Sequence, residues 1–110
     1  MISERDRILL LHIRDAIKAI EVFAKKATAR NFETNLMLSS AVERQLEIIG
    51  EATKNLSAEF RRKNKEIEWR KVAGLRDVLI HDYIKVDKTI VYNIVKNHLP
   101  QLSKFLKKIL

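Results

Sequence analysis

Arginine, histidine and tyrosine lie close together in one short stretch of the chain. Arg76, His81 and Tyr83 fall within the segment GLRDVLIHDY, which spans residues 74–83. An imidazole that titrates near neutral pH can accept the proton of a ribose 2′-hydroxyl, and a guanidinium can stabilise the extra negative charge of a phosphorane-like transition state. Together these residue types indicate cleavage of RNA without a metal ion.

The spacing of this motif determines how its side chains are arranged on a helix. With about 100° of rotation per residue, Arg76 and Tyr83 share a face, whereas His81 lies about 140° away from Arg76. Asp77 is one helical turn before His81 and can hydrogen-bond to the imidazole. Cleavage needs both a base and an acid, but the motif supplies one histidine. A two-fold homodimer with two copies of Arg76 and His81 around one cleft would supply both.

The same residues also have a purely structural interpretation. An arginine five positions before a histidine arises by chance in many arginine-rich helices, and His81 paired with Asp77 can be an ordinary core or surface histidine. Trp69 and Tyr83 are expected to be anchors of the core more often than stacking platforms for bases. The motif alone therefore does not separate catalysis from structure.

Metal and thiol chemistry find no support in the sequence. The histidines His12, His81 and His98 are scattered, and no set of carboxylates has the spacing of metal ligands. The chain has no cysteine, which excludes disulfides, zinc–thiolate sites and thiol nucleophiles and fits a reducing cytoplasm. We expect no metal and no other cofactor, in a cytoplasmic protein.

The charge balance indicates an anionic partner. Lysine and arginine number 22 against 14 aspartate and glutamate, which gives a net charge of +8. This balance favours nucleic acid, acidic protein or a membrane surface without choosing among them. The longest apolar run, residues 8–11, is too short to cross a bilayer, and the charged N-terminus is unlike a signal peptide, so no membrane association is expected. A basic run is expected to be a solvated face or, in the second interpretation, an RNA contact through Arg61, Arg62, Lys63 and Lys65.

The low content of helix breakers predicts an all-α protein. With two glycines and one proline in 110 residues, nearly every stretch favours helix, and we expect one domain, 1–110, folded as an antiparallel bundle of four or five helices. The first helix is predicted to begin after the N-cap Ser3 and to run to about Thr28, followed by a connection over residues 29–35. A second helix, which contains Gly50, is predicted to follow, with a capping box at residues 40–43 that satisfies the orphan amides of its N-terminus. Glycine costs about 1 kcal/mol inside a helix relative to alanine, so a close approach of backbones is expected.

The second half of the chain predicts three further helical regions. Ser57 caps a short helix that ends near residues 64–66, and a helical region over residues 69–83 has Gly74 as a candidate break. Asp87 caps a last helix that continues to the C-terminus, where Pro100 can split off a separate final helix.

Three blocks of the sequence, in order, resemble a known family. LEIIGEA at residues 46–52, IEWRKVAG at 67–74 and the motif at 76–83 with Val86 and Asp87 are similar to the HepT-like ribonuclease toxins of the HEPN superfamily. The resemblance implies a dimeric HEPN-like helical bundle in which Arg76 and His81 cut RNA without metal and Asp77 helps to order the site. It also implies that Gly50 packs beside the motif helix.

The resemblance implies a partner and a means of control. Members of this family are usually encoded beside a small MNT-type nucleotidyltransferase antitoxin, which can attach AMP to the tyrosine that corresponds to Tyr83. A bulky anion at that position would block the cleft and repel RNA. Two alternatives stay open: a helical module that binds RNA, a nucleotide or the nucleotidyltransferase without catalysis, and a substrate-binding subunit that completes a two-component nucleotidyltransferase.

Overall fold

The computed structural model describes the backbone of residues 1–81 and 87–110 and, apart from positions 78, 80 and 81, their side chains. Within these residues every regular element is helical, which confirms the predicted all-α bundle. A π-helical segment, Ile94–His98, lies between the last two α-helices. The α-helices are α1 (Glu4–Phe23), α2 (Ala29–Thr34), α3 (Leu36–Lys54), α4 (Ala58–Lys63), α5 (Trp69–His81), α6 (Lys88–Asn93) and α7 (Leu99–Ile109).

Helix α3 is the centre of the bundle and packs most extensively against α5 and α1. Its apolar residues recur at the spacing of one helix face, and those of α1 do the same, so each helix contributes one apolar stripe to a common core. The residues of these two stripes that are almost fully buried are Leu10, Ile13, Ile17, Ile20, Val42, Leu46 and Ile49.

An aromatic cluster joins α4, α5 and α7. The ring centroids of Phe60 and Phe105 both lie 5.6 Å from that of Trp69. Trp69 is buried, and its indole Nε1 donates a hydrogen bond of 2.8 Å to the carbonyl of Asn64, which satisfies the one polar atom of the ring. The expectation that Trp69 anchors the core is confirmed, and α5 begins at a fixed point.

A buried carboxylate ties the beginning of α1 to the beginning of α4. Asp6 is 3% exposed and accepts hydrogen bonds from the Ser57 amide (2.9 Å) and the Ser57 hydroxyl (2.6 Å). Burial raises the pKa of Asp6, but the hydrogen bonds from Ser57 outweigh it, so the pKa is lower than its ordinary value. The predicted caps are confirmed as well, since Ser3 accepts from the amide of Asp6 and Ser57 from that of Phe60.

Two predictions for the first half of the chain are wrong. Helix α1 ends at Phe23 rather than near Thr28, and the predicted connection contains α2, because Thr28 and Asn31 form a capping box. Helix α3 begins at Leu36, where the side chain of Asn35 accepts from the amide of Leu38, and not near the predicted box at residues 40–43, which lies inside the helix. A serine and a glutamate three positions apart form a capping box only at the N-terminus of a helix, because only the first backbone amides of a helix lack a carbonyl partner.

The second half departs from prediction at Gly74, whereas the separate final helix with Pro100 in its first turn is confirmed. Helix α5 continues through Gly74 without a break. The cap of α6 at Asp87 is confirmed by its acceptance of the Thr89 amide. Between α6 and α7 the helix widens rather than stops: the Leu99 amide donates to the Ile94 carbonyl five residues back. Pro100, which has no amide proton, follows in the first turn of α7, where none is needed.

Candidate active site

Helices α3 and α5 touch backbone to backbone at the motif arginine. A Cβ atom added to Gly50 would lie 2.6 Å from the backbone nitrogen of Arg76 and 3.0 Å from its Cβ. Real Cβ atoms do not approach a backbone this closely, so only glycine permits the contact. The expectation that Gly50 packs beside the motif helix is confirmed, and this contact fixes where the Arg76 side chain leaves α5.

Two carboxylates hold the guanidinium of Arg76. Its Nε forms an ion pair with Glu51, the residue after Gly50, and its Nη1 lies 3.4 Å from a carboxylate oxygen of Asp77. The Arg76 side chain is 31% exposed, whereas both carboxylates are more than half exposed. Ion pairs this accessible contribute at most about 1 kcal/mol to stability, so their main consequence is the orientation of the guanidinium.

Arg76 lies at the edge of a groove of about 380 Å³ between α1 and α3. His12 of α1 lines the same groove, as do Arg44 and Glu47 of α3, whose ion pair measures 3.1 Å. His12 is exposed. The groove therefore combines an imidazole from α1 with a guanidinium group from α3 and one from α5, each paired with one glutamate, and a phosphate placed there would meet two arginines.

The remaining motif residues are described less completely. The described part of α5 extends to His81, so positions 76 and 81 are on one continuous helix, about 140° apart around its axis and about 7.5 Å apart along it. The side chain of His81 and the whole of Tyr83 lie outside the described residues. The roles assigned to both, and the contact of Asp77 with His81, stay predictions.

The basic run predicted as an RNA contact lies at the end of α4. Arg62, Lys63 and Lys65 are exposed and Arg61 is half-buried. Lys63 is paired with Glu59 one turn earlier, at 2.8 Å, so part of the local positive charge is neutralised. The four side chains are on the surface, and their contact with RNA stays a prediction.

Sequence reasoning assigned no functional role to Glu51 or to His12. Both belong to the groove at Arg76, although they come from helices that precede the motif by tens of residues in the sequence. The one signal for Glu51 was its position directly after a glycine inside a helix, since the close approach that requires the glycine also brings the next side chain to the neighbouring helix.

Neither a group of metal ligands nor a membrane-spanning helix is present among the residues that the structure describes, 1–81 and 87–110. In that part of the chain no three histidine, aspartate or glutamate side chains are grouped as metal ligands would be. None of its helices is both long and apolar enough to cross a membrane.

Comparison with known proteins decides the family. Residues 13–109, nearly the whole bundle, match the family described as "Ribonuclease HepT-like". The chain belongs to the HepT-like ribonuclease family. No solved structure matches the chain.

Three relatives illustrate the range of this family. The chain is 42% identical over 104 residues to "Gamma-glutamylcyclotransferase and putative RNase MJ0434" of Methanocaldococcus jannaschii, and the match covers 94% of this chain and 47% of that protein. It is 38% identical to "Putative RNase TTE0752" of Caldanaerobacter subterraneus, covering 94% and 93%. It is 40% identical to "Probable ribonuclease HepT" of Thermococcus cleftensis, covering 88% of each. The chain thus spans about half of the first relative and most of the other two.

Proposed function

We propose that this HepT-like protein is an endoribonuclease toxin that forms one domain over residues 1–110, acts as a homodimer and cleaves RNA without a metal ion. One observation carries the proposal: the guanidinium of Arg76 is fixed by Glu51 and Asp77 at the edge of a groove, on the same helix as His81. Membership of a ribonuclease family and the names of the relatives support RNA as the substrate.

In this mechanism each motif residue has a defined role. The 2′-hydroxyl of a ribose attacks the adjacent phosphorus, and the 5′-oxygen of the next nucleotide leaves. Arg76 stabilises the negative charge that builds up on the phosphate oxygens, which is worth the most where the donor is already oriented. His81 takes or delivers the proton, and Asp77 orients the groups around it.

The second proton-transfer group comes from the partner in a two-fold dimer, which places a second copy of His81 at the same cleft. His12 offers an alternative within one chain, because it lines the groove at Arg76. The variant His12→Asn keeps a polar side chain but cannot transfer protons near neutral pH. Full activity of this variant supports the dimeric site, and a loss comparable with that of His81→Ala supports His12.

Control by a partner completes the proposal. An MNT-type nucleotidyltransferase antitoxin transfers AMP from ATP to the hydroxyl of Tyr83. The added phosphate is negative and bulky, so it repels the RNA backbone and obstructs the cleft. The family resemblance supports this step.

The decisive experiment is cleavage of total RNA and tRNA by purified, unmodified protein in EDTA. We expect wild-type protein to cleave, and Arg76→Ala and His81→Ala to lose cleavage at least about a hundredfold while folding normally. Arg70→Ala, which removes an exposed arginine from the same helix, and His98→Ala are the matched controls and should retain cleavage.

Each other outcome has a definite meaning. Cleavage that survives in both motif variants removes Arg76 and His81 from the mechanism, and cleavage abolished by EDTA contradicts metal independence. Absence of cleavage by folded, unmodified wild type favours the binding-module alternative. Labelled nucleotidyl product that forms only when both proteins are present favours a subunit of a two-component nucleotidyltransferase.

A further inference from the structure

A long groove follows the seam between α1 and α7, away from the Arg76 groove. It consists of two adjoining cavities of about 360 Å³ and 580 Å³. The two cavities share four lining residues, so they form one continuous depression, which we call the α1/α7 groove. These shared residues are Ile17, Glu21, Ser103 and Lys107.

Lysines line this groove almost without opposing charge. Five lysine side chains line the groove and all of them are exposed. Within residues 1–81 and 87–110 none of the five is ion-paired with a carboxylate. Glu21 is the single carboxylate side chain in the described lining. The five are Lys18, Lys25, Lys96, Lys104 and Lys107.

The basic run on α4 differs in this respect. There Lys63 is paired with Glu59, and Glu66 and Glu68 follow within a few residues. The lysines of the α1/α7 groove are therefore free of the carboxylate partner that Lys63 has in the α4 run, within the part of the chain that the structure describes. A concave surface lined by one sign of charge also focuses the field more than a convex helix end does.

The groove is built on rigid elements. Its α1 wall extends from Arg14 to Glu21, which at 1.5 Å per residue is about 10 Å, long enough to contact more than one phosphate of a strand, and Lys25 follows in the turn after α1. Its floor includes the buried residues Ile17, Ile20 and Leu99. Four of the lysines project from helical segments that pack on this floor, and Lys25 projects from the turn directly after α1. Preorganised charges lose less entropy when they bind an extended anion.

We propose that the α1/α7 groove binds the sugar–phosphate backbone of single-stranded RNA and so holds the substrate of the proposed ribonuclease. Lysine ammonium groups interact with phosphate as point charges, and the described lining contains no aromatic ring on which a base could stack. The groove therefore contributes affinity that is independent of sequence and strongly dependent on salt. The choice of RNA rests on the proposed function, whereas the charge and shape of the groove do not.

The test measures binding separately from cleavage. A fluorescent 2′-O-methyl oligoribonucleotide of mixed sequence is the probe, because it has no 2′-hydroxyl and cannot be cleaved by the proposed mechanism. Its anisotropy is titrated with wild-type protein and with the triple variant Lys25→Gln/Lys104→Gln/Lys107→Gln. At about 0.1 M salt we expect the triple variant to bind at least about tenfold more weakly, and the slope of log K against log salt to fall by about 2.

A second triple variant controls for net charge. Arg61→Gln/Arg62→Gln/Lys65→Gln removes the same three charges from the end of α4, and we expect its affinity to change less than about threefold. Equal losses in the two triple variants, or a larger loss at α4, would overturn the assignment to the α1/α7 groove. All substitutions are of surface side chains, so the midpoint of thermal unfolding should stay close to that of wild type and reports any folding defect.

Removal of the carboxylate gives a change of opposite sign. Glu21→Gln should bind the probe about twofold to fivefold more tightly, while Glu33→Gln, an exposed glutamate of α2, should change affinity less. If both Glu21→Gln and the Lys25/Lys104/Lys107 triple variant bind the probe with wild-type affinity, RNA binding by this groove is overturned. The groove would then serve another anion, such as an acidic protein surface. Because the probe cannot be cleaved, that result leaves the proposed ribonuclease standing, and failure of cleavage by wild type leaves the binding result standing.

Discussion

Arg76 takes part both in the packing of α3 against α5 and in the proposed chemistry. Its backbone touches Gly50, and its guanidinium is held by Glu51 from the same turn of α3. An arginine on an exposed helix face would otherwise sample many rotamers, and each unproductive rotamer would lower the rate of a reaction that needs a fixed donor. The ion pair with Glu51 is therefore expected to affect the rate more than the stability.

The first prediction concerns this pair. Glu51→Gln should lower kcat about tenfold to a hundredfold with little change in KM, because the donor is misplaced while RNA binding elsewhere is intact. Glu51→Asp should restore part of the loss. The control Glu59→Gln removes a glutamate that is also exposed and ion-paired, on α4, and should leave kcat unchanged. Steady-state cleavage kinetics check the prediction, and equal losses in the two variants would show that net charge, not the contact with Arg76, matters.

The second prediction concerns Tyr83. Incubation of the wild type with an MNT-type nucleotidyltransferase and ATP should add the mass of AMP to the peptide that contains Tyr83 and should abolish RNA cleavage. Tyr83→Phe lacks the accepting oxygen, so it should stay unlabelled and active in the presence of the partner. Intact-mass and peptide mass spectrometry make the measurement, and labelling of Tyr83→Phe would place the modification on another residue.

At the scale of elements, the pair α3–α5 is the unit that positions the site. Only a residue without a side chain allows the two backbones to approach at position 50, whereas a Cβ atom at position 74 would have no atom within 4 Å. The two glycines of this chain therefore have opposite roles, although both lie inside helices. One is required by packing, and the other only lowers helix propensity.

The third prediction is that the two glycines respond with opposite signs to alanine. Gly50→Ala should lower the free energy of unfolding by about 1–3 kcal/mol, since overpacking against the Arg76 backbone exceeds the gain in helix propensity, and it should reduce cleavage by shifting α5. Gly74→Ala should raise the free energy of unfolding by about 0.4–1 kcal/mol. Urea denaturation of both variants measures this, and a stabilised Gly50→Ala would mean that α3 and α5 have room to separate.

The contact between Asp6 and Ser57 acts at the scale of the whole molecule. It joins positions 51 residues apart and fastens the beginnings of α1 and α4 to each other. The folded pKa of Asp6 is below its unfolded value, so folding is favoured by the ionised form. This contribution is complete above the unfolded pKa of about 3.9 and disappears as pH falls through the lower folded pKa.

The fourth prediction follows from that sign. Asp6→Asn should unfold about 1–3 kcal/mol more easily at neutral pH, because an amide nitrogen replaces one of the oxygens that accept from Ser57. The difference between wild type and Asp6→Asn should shrink as pH falls below about 4. Asp15→Asn removes an exposed carboxylate of the same helix and should show neither effect. Urea denaturation as a function of pH measures all three proteins, and a constant difference at every pH would mean that Asp6 stabilises without its charge.

The sequence by itself determined the helical class, most of the caps and which candidate site residues are close together along the chain. Helix period, scarcity of glycine and proline, and the hydroxyl or carboxylate before each cap are local properties, so Ser3, Ser57 and Asp87 could be assigned without a fold. The motif residues Arg76, Asp77 and His81 are local in the same sense. Local rules failed where two signals competed, as at Ser40, where a capping pattern lies inside a helix that Asn35 already caps.

Only the tertiary structure decided which helices meet. The contacts of Arg76 with Glu51 and with the groove that contains His12 depend on the packing of α1, α3 and α5, and no spacing along the chain encodes them. The α1/α7 groove is decided in the same way, since its lysines come from the two ends of the sequence. The sequence of each helix determines which charged residues and which apolar stripe that helix presents. Which charged residues become neighbours is determined by the packing of the apolar stripes against one another.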